Sequence, residues 1–259
     1  MRLLKFTAMY SRNGENGRLN EDPFCIAKNR DIRMAKNVIE NLLIKSKTET
    51  ALLIIDMQVY QAGEGGNLPR YFGIVNGPDA EAGAVRRGKE VVPVIGRLLS
   101  AFRKAGACVA FTAFGSLTED GSDLVPYVRL WNRKCRKELG IPAIVSVRDP
   151  GYAIMSSISP LPDEPVVRKA AQGAFNSSII DHVLRQKGIN TIVAAGMYTN
   201  HCVISTCIGA ADAGYRVIVP EDAVGSWNAD LHEQALEVMR SWIIRTTSDR
   251  IIKELKLLL

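Results

Sequence analysis

The chain has 259 residues, 47% of them hydrophobic and 23% charged. That length and balance fit one α/β domain, or a domain with a small appendage, and exclude disordered, collagen-like and low-complexity classes. The net charge of +6 would point to nucleic acid only if the basic residues clustered. They are spread through the chain, the densest run being Arg133-Lys134-Cys135-Arg136-Lys137, and base-reading modules are absent, so nucleic acid is not an expected partner.

Five cysteines (Cys25, Cys108, Cys135, Cys202, Cys207) form no close pair. They fit neither a disulfide framework nor a zinc knuckle and place the chain in a reducing compartment. The start lacks a signal-peptide core, and no apolar run approaches the ~18–20 residues that span a bilayer. A soluble, cytoplasmic protein without a membrane partner is expected.

Residues 1–49 differ from the rest. Asn13 to Asp22 reads as loop, and Met34, Val38, Ile39, Leu42 and Leu43 recur at helical spacing, predicting an amphipathic helix over 31–45. From Ala51 strand and helix alternate. Ala51 to Asp56 is a buried strand ending in an acid, and Gln61 to Gly88 reads as a long glycine-bearing loop. Val91 to Phe102 marks a helix closed by Gly106, with Pro93 in its first turn or kinking it. Cys108 to Thr112 is a second strand. Phe114 to Pro165 is irregular, with a helical or extended excursion near Val128 to Leu139, the kind of segment that serves as a lid or subunit contact.

Regular alternation then resumes. Val166 to Arg168 is a strand end, and Ser177 to Lys187 a helix with Ile179, Ile180, Val183 and Leu184 inward. Thr191 to Gly196 is a buried strand, Cys202 to Ala213 a helix, and Arg216 to Pro220 a strand. Leu231, Ala235, Val238, Met239 and Trp242 stripe another helix, and Ile244 to Thr247 is a last strand before the tail. Repeated βα units imply a three-layer α-β-α fold with a mostly parallel central sheet, residues 50–259 forming the domain and 1–49 an extension.

Ligands of such sheets bind beyond the carboxyl ends of the strands, and three reactive residues fall there: Asp56, Lys169 and Cys202. Taken singly, Asp56 reads more often as a cap, Lys169 as a solvated edge residue and Cys202 as a small buried hydrophobe. A helix start at Cys202 would lower its thiol pKa and supply free N–H groups for an oxyanion.

Order and context join the three. Asp56-Met57-Gln58 after an apolar strand, Lys169 followed by Gly173-Ala174-Phe175-Asn176-Ser177, and Gly196-Met197-Tyr198-Thr199-Asn200-His201-Cys202-Val203 resemble the isochorismatase-like cysteine hydrolases. So does Ala213-Gly214-Tyr215-Arg216-Val217 leading to Glu221-Asp222-Ala223. The resemblance covers residues 50 to 250 in the family's order. It implies an Asp56, Lys169, Cys202 triad in which Asp56 is the base, Lys169 steadies both anions, and Cys202 attacks a carbonyl to form a thioester. It further implies an oxyanion hole from the N–H groups of Tyr198 and Cys202, a cis peptide between Met197 and Tyr198, and a homo-oligomer.

Departures narrow the branch. Asp56 is followed by Met57-Gln58, without the Asp-x-His of metal-dependent nicotinamidases, and the chain has only His182, His201 and His232. No three-ligand set emerges, so neither metal nor other cofactor is expected. Cys202 argues against the branch that cleaves vinyl ethers. What remains is a metal-free hydrolase of a small amide, carbamoyl or ureido compound, like the N-carbamoylsarcosine and ureidoacrylate hydrolases. Gln58, Phe175, Tyr198 and His201 are candidate pocket residues, and Arg168 either binds a substrate carboxylate or balances surface charge. The alternatives are a nicotinamidase-like amidase with an unexpected ligand set, and a non-catalytic binding protein on the same fold.

Overall fold

Residues 42–258 are described by the computed structural model. Strands β1 (Thr50–Ile55) and β4 (Thr191–Met197) are buried at every position. Aliphatic runs without polar alternation require this, because helices must cover both faces of the sheet they form. Around them lie β2 (Cys108–Phe114), β3 (Val166–Lys169), β5 (Arg216–Pro220), β6 (Val224–Gly225) and β7 (Ile243–Thr246). The order is β3-β2-β1-β4-β5-β7, with β6 attached to β4, and every pairing is parallel. The chain thus winds one way from β1 and the other way from β4. Their shared boundary is the switch point at which a parallel sheet opens a crevice for ligands.

Two helices precede the long one that returns the chain from β1 to β2. The segment Gln61 to Gly88, expected as a loop, holds the second half of α1 (Val59–Ala62), all of α2 (Asn67–Asn76) and the start of α3 (Pro78–Ala105). Its glycines mark caps and close contacts instead of a loop. Gly66 and Gly77 cap helices, while a Cβ on Gly83 would lie 2.1 Å from the Trp227 carbonyl oxygen and one on Gly88 would lie 2.6 Å from that of Ala62. Pro93 sits inside α3 on its exposed side, where water can take the carbonyl that its missing N–H leaves free.

The excursion near Val128 is a helix, α4 (Pro126–Leu139), pinned by Asn132, which bonds both backbone groups of Ile144. Then come α5 (Ile180–Gln186), α6 (Ile204–Asp212), α7 (Ala229–Met239) and α8 (Ser248–Leu257). Helices α3 and α8 pack together, as do α6 and α7, and right-handed crossovers in the two winding directions put the pairs on opposite faces.

Several other expectations need correcting. Of the helix expected over 31–45, residues 42–45 run as bends, and the earlier ones, with Cys25, lie outside the described residues. Helix α5 starts later than expected, so its inward residues are Ile180 and Leu184, while Ile179 is 66% exposed. Val238 and Trp242 are also exposed, Leu236 being the buried partner of Ala235 and Met239. The tail is helical: the Thr247 hydroxyl caps α8 through the N–H of Arg250, and Ile251 and Leu255 are buried. No described helix is long and apolar enough to cross a membrane.

Candidate active site

Asp56 follows β1 directly, and its φ of +52° makes it the one described non-glycine residue with positive φ. That left-handed conformation costs a β-carbon about 1–3 kcal/mol and persists where surroundings enforce it. Here Thr112 of β2 does so: its carbonyl accepts the Asp56 N–H at 3.2 Å, and its hydroxyl donates to Asp56 Oδ1 at 2.7 Å. Thr112, buried in the otherwise apolar run Cys-Val-Ala-Phe-Thr-Ala-Phe, went unremarked at the sequence level. A lone hydroxyl near the carboxyl end of a buried strand was its available signal.

Lys169 ends β3, two strands from β1, so its side chain must cross the end of β2, a gap of about 10 Å at the usual strand spacing. The chain lies under cover, with Nζ 4.1 Å from the centre of the Phe114 ring. Nζ donates to the carbonyls of Ala171 and Gln172 at 2.8 Å each and to Cys202 Sγ at 3.3 Å. Asp56 Oδ2 lies 2.7 Å from Nζ as its ion-pair partner. Both side chains are wholly excluded from solvent. Strand alternation puts Arg168 on the opposite face, where it pairs with Asp123. Of its two readings, charge balance therefore describes the contact.

Cys202 arrives from the other side of the switch point. β4 ends at a cis peptide between Met197 and Tyr198. A single π-turn over Thr199–Val203 precedes α6, so Cys202 lies within that turn, two residues before the α-helix begins. The turn is held from outside: Thr199 Oγ1 is 2.9 Å from His232 Nδ1, and Ser226 donates to Asn200 Oδ1 at 2.7 Å. Gly196 lets this strand end approach β1, because at its φ of +130° a Cβ would lie 2.1 Å from the Ile55 carbonyl oxygen.

Burial pushes the Cys202 thiol above the ordinary range, Lys169 pulling the other way and Asp56 adding to the rise. The expectation of a lowered thiol pKa is thus reversed at rest, since desolvation outweighs the helix end. Burial also opposes the Lys169 charge, but Asp56 and Cys202 outweigh it, so Lys169 titrates above ordinary lysines. The arrangement is a neutral thiol beside an anchored ammonium and its carboxylate partner.

The remaining candidates divide. The Gln58 side chain is spent on the frame, donating to the Tyr152 carbonyl and accepting from Phe114 N and Gln61 Nε2. Phe175 packs on Tyr215, 5.4 Å between ring centres, and against Gly209 of α6. The Tyr198 hydroxyl bonds the Gln61 carbonyl and its ring meets Phe72 edge-on.

His201 lies within aromatic rings: parallel to Phe72 at 5.9 Å, stacked on Trp227 at 5.2 Å and edge-on to Trp131 at 5.7 Å. Burial lowers its pKa to about 4. These rings come from four segments far apart in sequence, so no local pattern announces them. His182 is exposed, and burial lowers the His232 pKa. Among the described residues no three His, Cys, Asp or Glu side chains come together as a metal site.

Comparison with known proteins fits this geometry. A family model described as the isochorismatase domain matches residues 50–248. The ureidoacrylate amidohydrolase of Yersinia enterocolitica is 28% identical over 204 residues, covering 75% of this chain and 84% of that protein. That of Pantoea ananatis is 29% identical over 209 residues, covering 75% and 78%. A cysteine hydrolase structure from Pseudomonas syringae pv. phaseolicola superposes with a TM-score of 0.69 at 22% identity, covering 83% of this chain and 95% of that one. N-carbamoylsarcosine amidase from Thermoplasma acidophilum shares the fold at a TM-score of 0.54 and 23% identity, covering 78% and 97%.

Proposed function

Because this chain belongs to the isochorismatase family, we propose that it hydrolyses a C–N bond of a small carbamoyl, ureido or amide compound through a thioester on Cys202. One observation carries the reading: a single buried ammonium, Lys169 Nζ, lies 2.7 Å from Asp56 Oδ2 and 3.3 Å from Cys202 Sγ. The names of the relatives, ureidoacrylate amidohydrolase and N-carbamoylsarcosine amidase, supply the substrate class.

Asp56, paired with Lys169 at 2.7 Å, takes the thiol proton. The thiolate, paired with Lys169, attacks the carbonyl carbon, and the carbonyl π electrons move to oxygen. The N–H groups of Tyr198 and Cys202 hold that oxyanion. Collapse breaks the C–N bond, and the amine leaves with the proton from Asp56. Water then gives a proton to Asp56 and attacks the thioester. The second collapse expels the Cys202 thiolate, which recovers the proton from Asp56, and the acid departs. A carbamic acid formed this way decomposes to carbon dioxide and ammonia.

Residues 50–259 are assigned to the hydrolase domain and 1–49 to an extension of it. A cytoplasmic location fits a nucleophile that needs a free thiol, and the described cysteines are unpaired. Assembly as a homo-oligomer is carried over from the family resemblance.

The test is an ammonia-release screen over small amides, ureides and carbamoyl compounds, with Cys202→Ala as control. The reading requires turnover of at least one compound by the native chain and none by the variant. Ammonia release that survives the substitution would overturn it.

A further inference from the structure

One polar atom in the segment that follows Lys169 is buried without a hydrogen-bond partner. Gln172 follows Lys169 by three residues, and its backbone carbonyl accepts from Lys169 Nζ at 2.8 Å, so its main chain is tied to the triad. From that anchor the side chain reaches the residue preceding the nucleophile: Gln172 Nε2 is 3.4 Å from His201 Nδ1. Its other end, Oε1, is buried and has no hydrogen-bond partner among the described residues.

The Gln172 amide presents Nε2 to His201 Nδ1. His201 sits among apolar rings and is neutral, its pKa held near 4 by burial. With Gln172 Nε2 donating to Nδ1, the imidazole proton resides on His201 Nε2, and Oε1 is left as an acceptor. A buried acceptor that has lost water and found no donor is unfavourable in the empty site, and a ligand with a suitably placed N–H relieves it. The carbonyl compounds expected here carry such a donor, the N–H on the same carbon that Cys202 would attack.

We propose that Gln172 is a specificity-determining residue: its Oε1 accepts an N–H from the carbamoyl or carboxamide group whose carbonyl meets Cys202. The inference rests on the cysteine-hydrolase reading and names the chemistry that the site selects. Sites built around a hydrogen-bonding group discriminate strongly against an analogue that lacks the matching donor. The preference is therefore for a substrate with NH2 or NH beside the reacting carbonyl, over one with a methyl group of the same size.

Two chromogenic esters isolate that difference. 4-Nitrophenyl carbamate and 4-nitrophenyl acetate have the same leaving group and differ only in NH2 against CH3 on the carbonyl. Nitrophenolate release on acylation of Cys202 is followed in the full chain, with Cys202→Ala as blank, slightly below pH 7 to limit spontaneous carbamate breakdown. The measured quantity is the ratio of carbamoylation to acetylation rates. It should fall at least tenfold in Gln172→Leu, and Gln172→Glu, which keeps an acceptor, should restore much of it. Thermal melts of each variant establish that the fold is retained.

A ratio unchanged in Gln172→Leu overturns the proposal while leaving the hydrolase reading intact. A Cys202-independent signal from both esters removes the hydrolase reading, and this inference with it. Should Gln172→Leu fail to fold, Gln172→Met is the second variant, judged by the same ratio.

Discussion

Lys169 and Asp56 meet at 2.7 Å with both side chains fully buried, although their strands, β3 and β1, are separated by β2. Each charge is tolerable there only because of the other. Removing one partner from a buried pair typically costs about 3–5 kcal/mol, because the survivor is left uncompensated, whereas removing both costs less. Lys169→Met should thus be inactive and destabilised by about that amount, and the double variant Lys169→Met, Asp56→Asn should recover part of the loss. Denaturant melts of the two singles and the double measure the coupling. Additive losses would mean that the pair is not energetically linked.

Asp56→Asn separates chemistry from charge. The amide keeps the shape at Asp56, including an oxygen for the Thr112 hydroxyl, but cannot take the thiol proton. Turnover should fall by about 10²–10⁴-fold, the usual worth of a positioned proton acceptor. Steady-state kinetics on whichever substrate the ammonia screen identifies would check this. An Asp56→Asn variant as fast as the native chain would leave the thiol without its assigned base.

His201 gives a pH signature. Its pKa in the fold is about 4, below the ordinary histidine value because burial disfavours the imidazolium. The unfolded chain therefore binds a proton in a range where the folded chain does not. The stability from keeping this ring neutral is present above about pH 6.5 and is lost as the pH falls toward 4, reaching about 3 kcal/mol. His201→Phe preserves an apolar ring against Phe72 and Trp227 and removes the titration. Melts between pH 7 and 4 should show a shallower loss in the variant. Identical slopes would place the histidine in a wetter environment than the aromatic stack provides.

Gly196 offers a purely steric test. Alanine there would put a Cβ 2.1 Å from the Ile55 carbonyl oxygen, at a φ of +130° that L-residues avoid. Since the contact is with main chain, relief requires β4 to move from β1 at the point where Asp56 and the nucleophile turn meet. Gly196→Ala should lower stability by more than 3 kcal/mol, beyond the ~1 kcal/mol typical of point substitutions, and reduce Cys202 acylation as well. Calorimetry and the ester burst read the two effects. Retained activity in a destabilised fold would separate the strand contact from the site.

Much of the architecture was legible because parallel sheets leave a local record. Ala51 to Ile55 and Thr191 to Gly196 carry unbroken apolar character, and the motifs around Asp56, Lys169 and Cys202 follow each strand end in order. Glycine was one source of misreading. Gly83 and Gly88 read as loop but lie inside α3, because each touches a backbone from elsewhere in the chain. Ile179 and Val238 fit helical stripes, yet the helix start and the neighbouring elements turned them outward.

Sequence alone determined that this protein is an α/β domain with three reactive residues at strand ends, since strand burial and residue order are one-dimensional properties. Tertiary structure decided what those residues are to one another. It turned an edge-like lysine into a buried bridge between Asp56 and Cys202, reversed the expected thiol pKa by desolvation, and paired Arg168 with Asp123. It also gathered Phe72, Trp131, His201 and Trp227 beside Gln172. Such facts depend on distance and on exclusion of water, and both arise only when segments remote in the chain pack against each other.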